Sequence, residues 1–87
     1  MALQDKVIIV TGAAAGLGRE YSLRLAREGA KLAIADVRDC SETAERVQAA
    51  GGHVIALQVD VSDEDQTKQM AKRTFDEYGR IDGLLNN

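Results

Sequence analysis

The sequence contains no proline, no tryptophan and only one cysteine, Cys40. A single cysteine cannot form an intramolecular disulfide, and the longest apolar run near the start, residues 7–10, is too short for a signal-peptide core or a membrane span. Basic residues are outnumbered by acidic ones, 11 against 14, which leaves a formal net charge of −3. A chain without excess positive charge is a poor partner for nucleic acid or an anionic membrane. We therefore expect a cytoplasmic protein with no nucleic-acid or membrane partner.

The residues that are present are typical of a compact globular chain. Hydrophobic residues make up 45% and charged residues 29% of the sequence, with 8 glycines, and this composition excludes disordered and collagen-like classes. The 87 residues are fewer than an average domain contains. Such a length provides one core and leaves little room for both a cofactor site and a substrate site.

Three short apolar segments, residues 7–10, 32–35 and 54–57, are rich in β-branched residues and do not alternate with polar ones. Such runs are typical of strands that are covered on both faces. The stretches between them have helical periodicity, and the repeated order of strand and helix predicts crossover connections and a parallel sheet. The pattern indicates an α/β fold.

Two of the predicted helices have a clear apolar row. The first helix begins at about Leu17, and Leu17, Tyr21 and Leu25 share one face at i, i+4 spacing. In the third helix Ser62 is the predicted N-cap, and Gly79 is the predicted end. Its apolar stripe has i, i+3, i+4 spacing and consists of Thr67, Met70, Ala71, Thr74, Phe75 and Tyr78. We expect these rows to be the buried faces of amphipathic helices.

A fourth strand is predicted over residues 81–86, so apolar strand sequence runs almost to the last residue, Asn87. A crossover helix is normally followed by a complete strand and further elements, and an exposed parallel edge promotes aggregation. We therefore expect residues 1–87 to be the N-terminal part of a single domain that continues beyond Asn87.

A glycine-rich stretch joins the first strand to the first helix, where backbone N–H groups are unsatisfied and the helix dipole is positive. Gly12 permits a sharp turn, Gly16 lets a pyrophosphate approach the backbone, and Gly18 allows helix and strand to pack closely. The predicted anion-binding residues are Gly12, Ala14, Ala15, Gly16, Leu17 and Gly18. The alternative is that these glycines only mark turns.

Asp36 ends the second predicted strand, 18 positions after Gly18. This spacing is close to that of the carboxylate that binds the two hydroxyls of an adenosine ribose. The alternative is a solvated turn residue or a helix cap. A carboxylate about 4 Å from a ribose 2′-phosphate repels each unit charge by about 1 kcal/mol in water and about 4 kcal/mol at an effective dielectric near 20. We therefore predict NAD as the cofactor, with NADP a minor possibility that depends on Arg38.

Taken together, these residues resemble the classical short-chain dehydrogenase/reductase family. The matching motifs are T-G-x-x-x-G-x-G at residues 11–18, the acidic residue at Asp36, the D-V pair at Asp60 and Val61, and the start of N-N-A-G at residues 86–87. The resemblance covers the whole chain. It implies a Rossmann-type doubly wound parallel sheet.

The resemblance also implies the role of each matching residue. The glycine stretch surrounds the pyrophosphate, Asp36 holds the adenosine ribose, Asp60 and Val61 flank the adenine, and Asn87 contacts the cofactor. Reasoning from the residues agrees for Asp60, because a carboxylate at the carboxyl end of a buried parallel strand faces the ligand crevice. The alternative for Asp60 is a helix-capping role beside Ser62.

The family reaction is hydride transfer between a nicotinamide and a secondary alcohol or ketone, and the resemblance implies a homodimer or homotetramer. In this family a Tyr-x-x-x-Lys pair, assisted by Ser and Asn, handles the proton. Here Tyr21 is followed four positions later by Leu25, and Tyr78 by Asp82, so we predict no catalytic residue within the chain. Two alternatives stay open: a non-catalytic module that senses NAD, and a Rossmann-like unit that binds nothing.

Three further residues have side chains that can take part in metal binding, nucleophilic chemistry or phosphate binding. His53 has no second ligand at metal-binding spacing, and we predict no metal site. Cys40 has no histidine or cationic cluster beside it in the sequence, which argues against an activated thiolate. Arg19 directly follows Gly18 and either approaches the phosphates or is solvated on the first helical turn.

Overall fold

The computed structural model describes residues 2–87, so the first residue of the predicted 1–87 segment lies outside the described residues. Four strands alternate with three helices along this part of the chain. In order they are β1 (Val7–Thr11), α1 (Gly16–Arg27), β2 (Lys31–Asp36), α2 (Ser41–Ala49), β3 (His53–Gln58), α3 (Glu64–Tyr78) and β4 (Gly83–Asn86). The predicted alternation of strands and helices is confirmed.

The four strands form one sheet in the order β3-β2-β1-β4, and every pair is parallel. The chain builds outward from β1 through β2 to β3, and then crosses back to place β4 on the other side of β1. The carboxyl ends of β1 and β4 meet where Thr11 pairs with Asn86. In open α/β sheets this reversal of direction is the place where ligands bind.

Alternate residues of the central strands face two separate cores. Val10, Leu32 and Ile34 belong to a core that α1 and α2 cover, with Val47 of α2 fully buried in it. Their neighbours Ile9, Ala33 and Ala35 belong to a second core, which is covered by Met70 of α3. Helices therefore lie on both faces of the sheet, which confirms the doubly wound Rossmann-type prediction.

Burial of β3 differs from the prediction. β1 and β2 are almost entirely buried, as expected, whereas His53, Ala56 and Gln58 of β3 are exposed. These residues are exposed because β3 lies at the edge of the sheet. The apolar run of β3 is like that of a central strand, so the sequence pattern does not reveal its edge position.

The predicted buried row of α1 is wrong for Leu17 and Tyr21, whereas Leu25 is partly buried and packs against the core as predicted. Leu17 is 62% exposed and Tyr21 is also exposed, while Gly18 and Ser22 face the sheet. The close approach of Gly18 to the loop turns this face inward. On α3, Met70 and Thr74 are buried as predicted, but Phe75 is exposed.

The start of α3 also corrects a prediction. Its N-cap is Asp63, whose Oδ1 accepts hydrogen bonds from the N–H groups of Asp65 and Gln66 at 2.9 and 3.2 Å. The Ser62 hydroxyl instead donates to Asp60 Oδ1 at 2.6 Å. Serine and aspartate are both good N-caps, so the preceding turn decides which of the two adjacent residues caps the helix.

Tyr78 connects the end of α3 to the sheet. Its hydroxyl donates a hydrogen bond to the Leu32 carbonyl oxygen at 2.9 Å, and burial together with the nearby Glu77 charge raises the pKa of Tyr78 to about 12.

None of the three helices within residues 2–87 combines the length and the apolar character that crossing a bilayer requires.

The Tyr78 bond predicts a loss of stability at alkaline pH. Because the folded state holds the phenol proton up to a pKa of about 12 and the unfolded state only to the ordinary value of 10.0, the stabilisation is complete below pH 10 and falls as the pH rises from 10 to 12. Tyr78→Phe is expected to lower the free energy of unfolding by about 1 kcal/mol at pH 8. Urea unfolding at pH 8 and pH 11 measures both effects. A wild-type-minus-variant difference that does not shrink at pH 11 would contradict the assignment.

Candidate functional site

The turn between β1 and α1 leaves the start of α1 open. Gly12 and Gly16 have φ of 66° and 58°, in the left-handed region that favours glycine. The N-cap of α1 is Ala15, whose side chain forms no capping hydrogen bond, in contrast to Asp63 on α3. The backbone N–H groups of the first turn of α1 are therefore available to an external anion.

Gly18 brings α1 against the glycine turn. A Cβ placed on Gly18 would lie 1.9 Å from the Gly12 carbonyl oxygen and 2.9 Å from Ala13 Cα. Both contacts are with backbone, which cannot rotate away as a side chain can. Only glycine fits at this position, so the close packing that the motif predicts is present.

Asp36 at the end of β2 is held beside the same turn. Asp36 is 7% exposed, and its carboxylate accepts one hydrogen bond from the Ala14 N–H on Oδ2 and one from the Arg38 N–H on Oδ1, each at 3.0 Å. Arg38 Nε lies 3.5 Å from Oδ1. Burial alone raises the pKa of Asp36, but the hydrogen bonds and charge of these donors outweigh it and hold that pKa below its usual value. The carboxylate is therefore charged at neutral pH.

The Arg38 side chain pairs directly with the Asp36 carboxylate, which its position two residues later does not by itself predict. Its side chain is 65% exposed while its Nε contacts the carboxylate, so the guanidinium lies between Asp36 and solvent. The sequence shows only that Arg38 follows two residues later. The pairing depends on the backbone bending after β2, where the Arg38 N–H returns to the same carboxylate.

The last two residues lie against the glycine turn. The Thr11 hydroxyl donates to Asn86 Oδ1 at 2.8 Å and accepts from the Asn87 N–H at 3.3 Å. The Asn87 side-chain amide donates to the Gly12 carbonyl oxygen at 3.4 Å. Thr11 was not predicted as a site residue, although a hydroxyl at the carboxyl end of a buried strand is a signal that could have identified it.

Asp60 and Val61 lie beyond β3, which ends at Gln58, so the Asp60 carboxylate is two residues past the strand end at which it was predicted. Both are exposed. The Asp60 carboxylate accepts from the Ser62 hydroxyl at 2.6 Å and the Ser62 N–H at 2.9 Å, and these bonds lower the pKa of Asp60. Asp60 does not cap α3. It lines a shallow hollow with Val37, the residue that follows Asp36.

Cys40, His53 and Arg19 are the remaining candidate residues, and neither Cys40 nor His53 lies in a reactive or metal-binding arrangement. Burial, with the charge of Asp36 next in importance, raises the pKa of the Cys40 thiol to about 11, so it is neutral at physiological pH. His53 begins β3, at the end of the sheet opposite the glycine turn. No three histidine, cysteine or acidic side chains within residues 2–87 are arranged to hold a metal ion. Arg19 is only 18% exposed, which excludes the solvated alternative.

The structure thus brings the glycine turn, Asp36 and Asn87 together at the carboxyl ends of β1, β2 and β4. A parallel sheet with a glycine turn at the first strand–helix junction and an acidic residue after the second strand defines the Rossmann-type class. Known proteins that are similar to this chain also belong to the Rossmann-type class, and they identify one family within it.

A model of the short chain dehydrogenase family matches residues 6–87. Levodione reductase from Leifsonia aquatica is 41% identical over 87 residues, a match that covers 95% of this chain and 33% of that protein. A solved hydroxysteroid dehydrogenase from Escherichia coli has a TM-score of 0.95 at 30% identity, over 98% of this chain and 37% of the other. A short chain dehydrogenase from Mycobacterium paratuberculosis, solved bound to NAD, has a TM-score of 0.91 at 29% identity, over 97% of this chain and 36% of the other.

The chain belongs to the short-chain dehydrogenase family of oxidoreductases. This confirms the resemblance on which the residue roles were based. The chain spans about a third of the length of the relatives described above.

Proposed function

We propose that residues 1–87 are the NAD-binding part of an oxidoreductase that transfers a hydride between nicotinamide and a secondary alcohol or ketone. The observation that carries the proposal is the buried, charged carboxylate of Asp36 bonded to the N–H of Ala14, inside the glycine turn. One contact therefore joins the predicted ribose-binding group to the predicted pyrophosphate-binding loop.

The chemistry of this part of the chain fits a dinucleotide. Two phosphates need hydrogen-bond donors without competing negative charge, and the first turn of α1 has no acidic residue and no side-chain cap. In the proposal Gly16, Leu17 and Gly18 donate backbone N–H groups to the pyrophosphate, Asp36 accepts from the ribose hydroxyls, and Asn87 contacts the cofactor at the end of β4. The bound nicotinamide supplies the carbon that gives or accepts the hydride.

The adenine would lie between β2 and β3 in this proposal. This position for Asp60 and Val61 is supported by a backbone bond from the Val59 N–H to the Asp36 carbonyl oxygen at 2.9 Å, which holds the ends of β2 and β3 together. The Asp60 carboxylate has one oxygen engaged by Ser62. Its second oxygen is the one we assign to the adenine amino group.

NAD is the proposed cofactor in preference to NADP. The negative charge of Asp36 disfavours a 2′-phosphate, by about 1 kcal/mol per unit charge in water and about 4 kcal/mol at an effective dielectric near 20. Arg38 reduces this repulsion without removing it, because its guanidinium is already paired with Asp36 and is mostly solvated.

The rest of the proposal concerns the whole protein. Since neither Tyr21 nor Tyr78 is followed by lysine at the family spacing, the residues that move the proton are proposed to lie beyond Asn87. We also propose a cytoplasmic homodimer or homotetramer that acts on a small alcohol or ketone.

The activity is tested with the full-length protein and a panel of secondary alcohols and ketones, by following NADH absorbance. We expect turnover with NAD and at least one member of the panel. A protein that binds NADH but turns over no member of a broad panel with either nicotinamide would instead be the non-catalytic sensing module.

A further inference from the structure

Arg19 joins three parts of the proposed site that are separate in sequence. It lies on the first turn of α1, and helical side chains lean toward the N-terminus of their helix, which directs this one back over the glycine turn. Its Nη2 donates to the Ala14 carbonyl oxygen at 2.5 Å, and its Nε donates to the Thr43 hydroxyl at 2.9 Å. Thr43 is on the first turn of α2.

Thr43 extends the same network to the neighbouring peptide. Its side chain is fully buried, and its hydroxyl donates to the Ala13 carbonyl oxygen at 2.8 Å while accepting from Arg19. The carbonyl oxygens of two successive loop residues, Ala13 and Ala14, are therefore both held by donors from outside the loop. The Ala14 peptide is also held at its nitrogen, which donates to Asp36.

The direction of these carbonyl groups matters to an anion. A backbone carbonyl oxygen carries partial negative charge, so one turned toward a phosphate would repel it, whereas an N–H group attracts it. With Ala13 and Ala14 oxygens engaged by Thr43 and Arg19, the turn keeps its negative ends away from the position where we place the pyrophosphate.

We propose that Arg19 is a positioning residue of the nucleotide site: through Thr43 and the Ala14 carbonyl it sets the orientation of the phosphate-binding turn. In this role Arg19 acts through its bonds to Thr43 and the Ala14 carbonyl oxygen, in place of the direct approach to the phosphates that the sequence left open. Because α2 follows the ribose-binding end of β2, the same contacts couple the pyrophosphate and ribose parts of the site. This inference rests on the proposed function.

Arg19 could affect NADH binding through its positive charge alone or through its contact with the turn. The two effects can be separated because Glu42 pairs with two arginines. Arg19 Nη2 lies 3.4 Å from Glu42 Oε2, and Arg46 Nη2 lies 3.0 Å from Oε1. Only Arg19 also reaches the loop. Arg46→Gln removes one positive charge and one Glu42 pair without touching the turn, and so it is the matched control for Arg19→Gln.

The experiment measures NADH binding by fluorescence at a temperature where circular dichroism shows each variant fully folded. Loss of a charged hydrogen bond to the turn is expected to raise the Kd for NADH about tenfold in Arg19→Gln, and Arg46→Gln should retain the wild-type value. In the full-length enzyme the KM for NAD should rise by the same factor while kcat stays unchanged.

Thr43 provides a second test if Arg19→Gln does not fold. Thr43→Val keeps the shape and removes the hydroxyl, and it should weaken NADH binding, whereas Thr43→Ser should restore it. Unchanged NADH affinity in both Arg19→Gln and Thr43→Val, with a lowered melting temperature, would overturn the proposal and leave a purely structural contact. Failure of the wild-type chain to bind NADH would contradict the proposed function itself.

Discussion

Gly18→Ala is expected to destabilise the protein by about 3 kcal/mol and to weaken NADH binding about a hundredfold. The added Cβ would lie 1.9 Å from the Gly12 carbonyl oxygen and 2.6 Å from its carbonyl carbon, so α1 has to move away from the turn. That movement separates the N–H groups of the first helical turn from the loop that faces the same anion. Urea unfolding and NADH titration measure the two losses.

Gly51→Ala is the matched control for this substitution. Gly51 follows α2, and a Cβ there would meet no heavy atom of a non-adjacent residue within 4 Å in the described part of the chain, although its φ is 85°. The control should lose about 1 kcal/mol from the unfavourable backbone conformation and keep wild-type NADH binding. If Gly18→Ala bound NADH as well as Gly51→Ala does, the close approach of α1 would not matter for nucleotide binding.

Asp36→Asn is expected to raise the Kd for NAD about tenfold and to reduce the preference for NAD over NADP by at least about tenfold. The substitution keeps one oxygen, which can accept from the Ala14 N–H, and replaces the oxygen that accepts from the Arg38 N–H with an amide nitrogen, so some stability is lost and binding is measured where the variant is fully folded. In the proposed site it removes the charge that would bind the ribose hydroxyls and repel a 2′-phosphate. It also releases Arg38, now 3.5 Å from the carboxylate, to pair with that phosphate.

Asp39→Asn controls for the change in net charge. Asp39 is exposed and three residues farther along the chain, and within residues 2–87 its carboxylate bonds only to Ser41, through the hydroxyl at 2.6 Å and the N–H at 2.9 Å. Isothermal titration of NAD and NADP into both variants measures the preference. An unchanged preference in Asp36→Asn, or an equal shift in Asp39→Asn, would remove Asp36 from the ribose site.

Local patterns were sufficient to predict the order of elements and the two central strands. The apolar runs around Val10 and Ile34 are short and continuous because both faces of those strands are covered. The run in β3 has the same character, yet that strand is at the sheet edge. Strand order is set by the crossover of α3, and no single apolar run contains that information.

The buried face of α1 could not be predicted from its apolar residues. Leu17 and Tyr21 form a row by spacing, but the helix rotates so that Gly18 contacts the turn. A residue without a side chain contributes nothing to hydrophobic periodicity. The packing requirement of the motif therefore outweighed the apolar pattern.

Contacts among the motif residues agree with the sequence prediction, whereas Thr11 and Thr43, and the bonding partners of Arg19, were not predicted. The pairing of Asp36 with the glycine turn agrees with the spacing of the two motifs. Thr11, Arg19 and Thr43 act through hydrogen bonds that cross between elements, and such bonds depend on the register of the sheet and the packing of α1 on α2. These partners are set by tertiary structure.

Calorimetric titration of the unmodified protein with NAD and then NADP, at one ionic strength, tests most directly whether the glycine turn and Asp36 form a NAD-selective site. We expect saturable binding of NAD, at least about tenfold tighter than NADP. NAD at about 100 times its Kd should also stabilise the fold by about 2.7 kcal/mol. Absence of binding by either nucleotide, or binding of NADP as tight as that of NAD, would contradict the assignment.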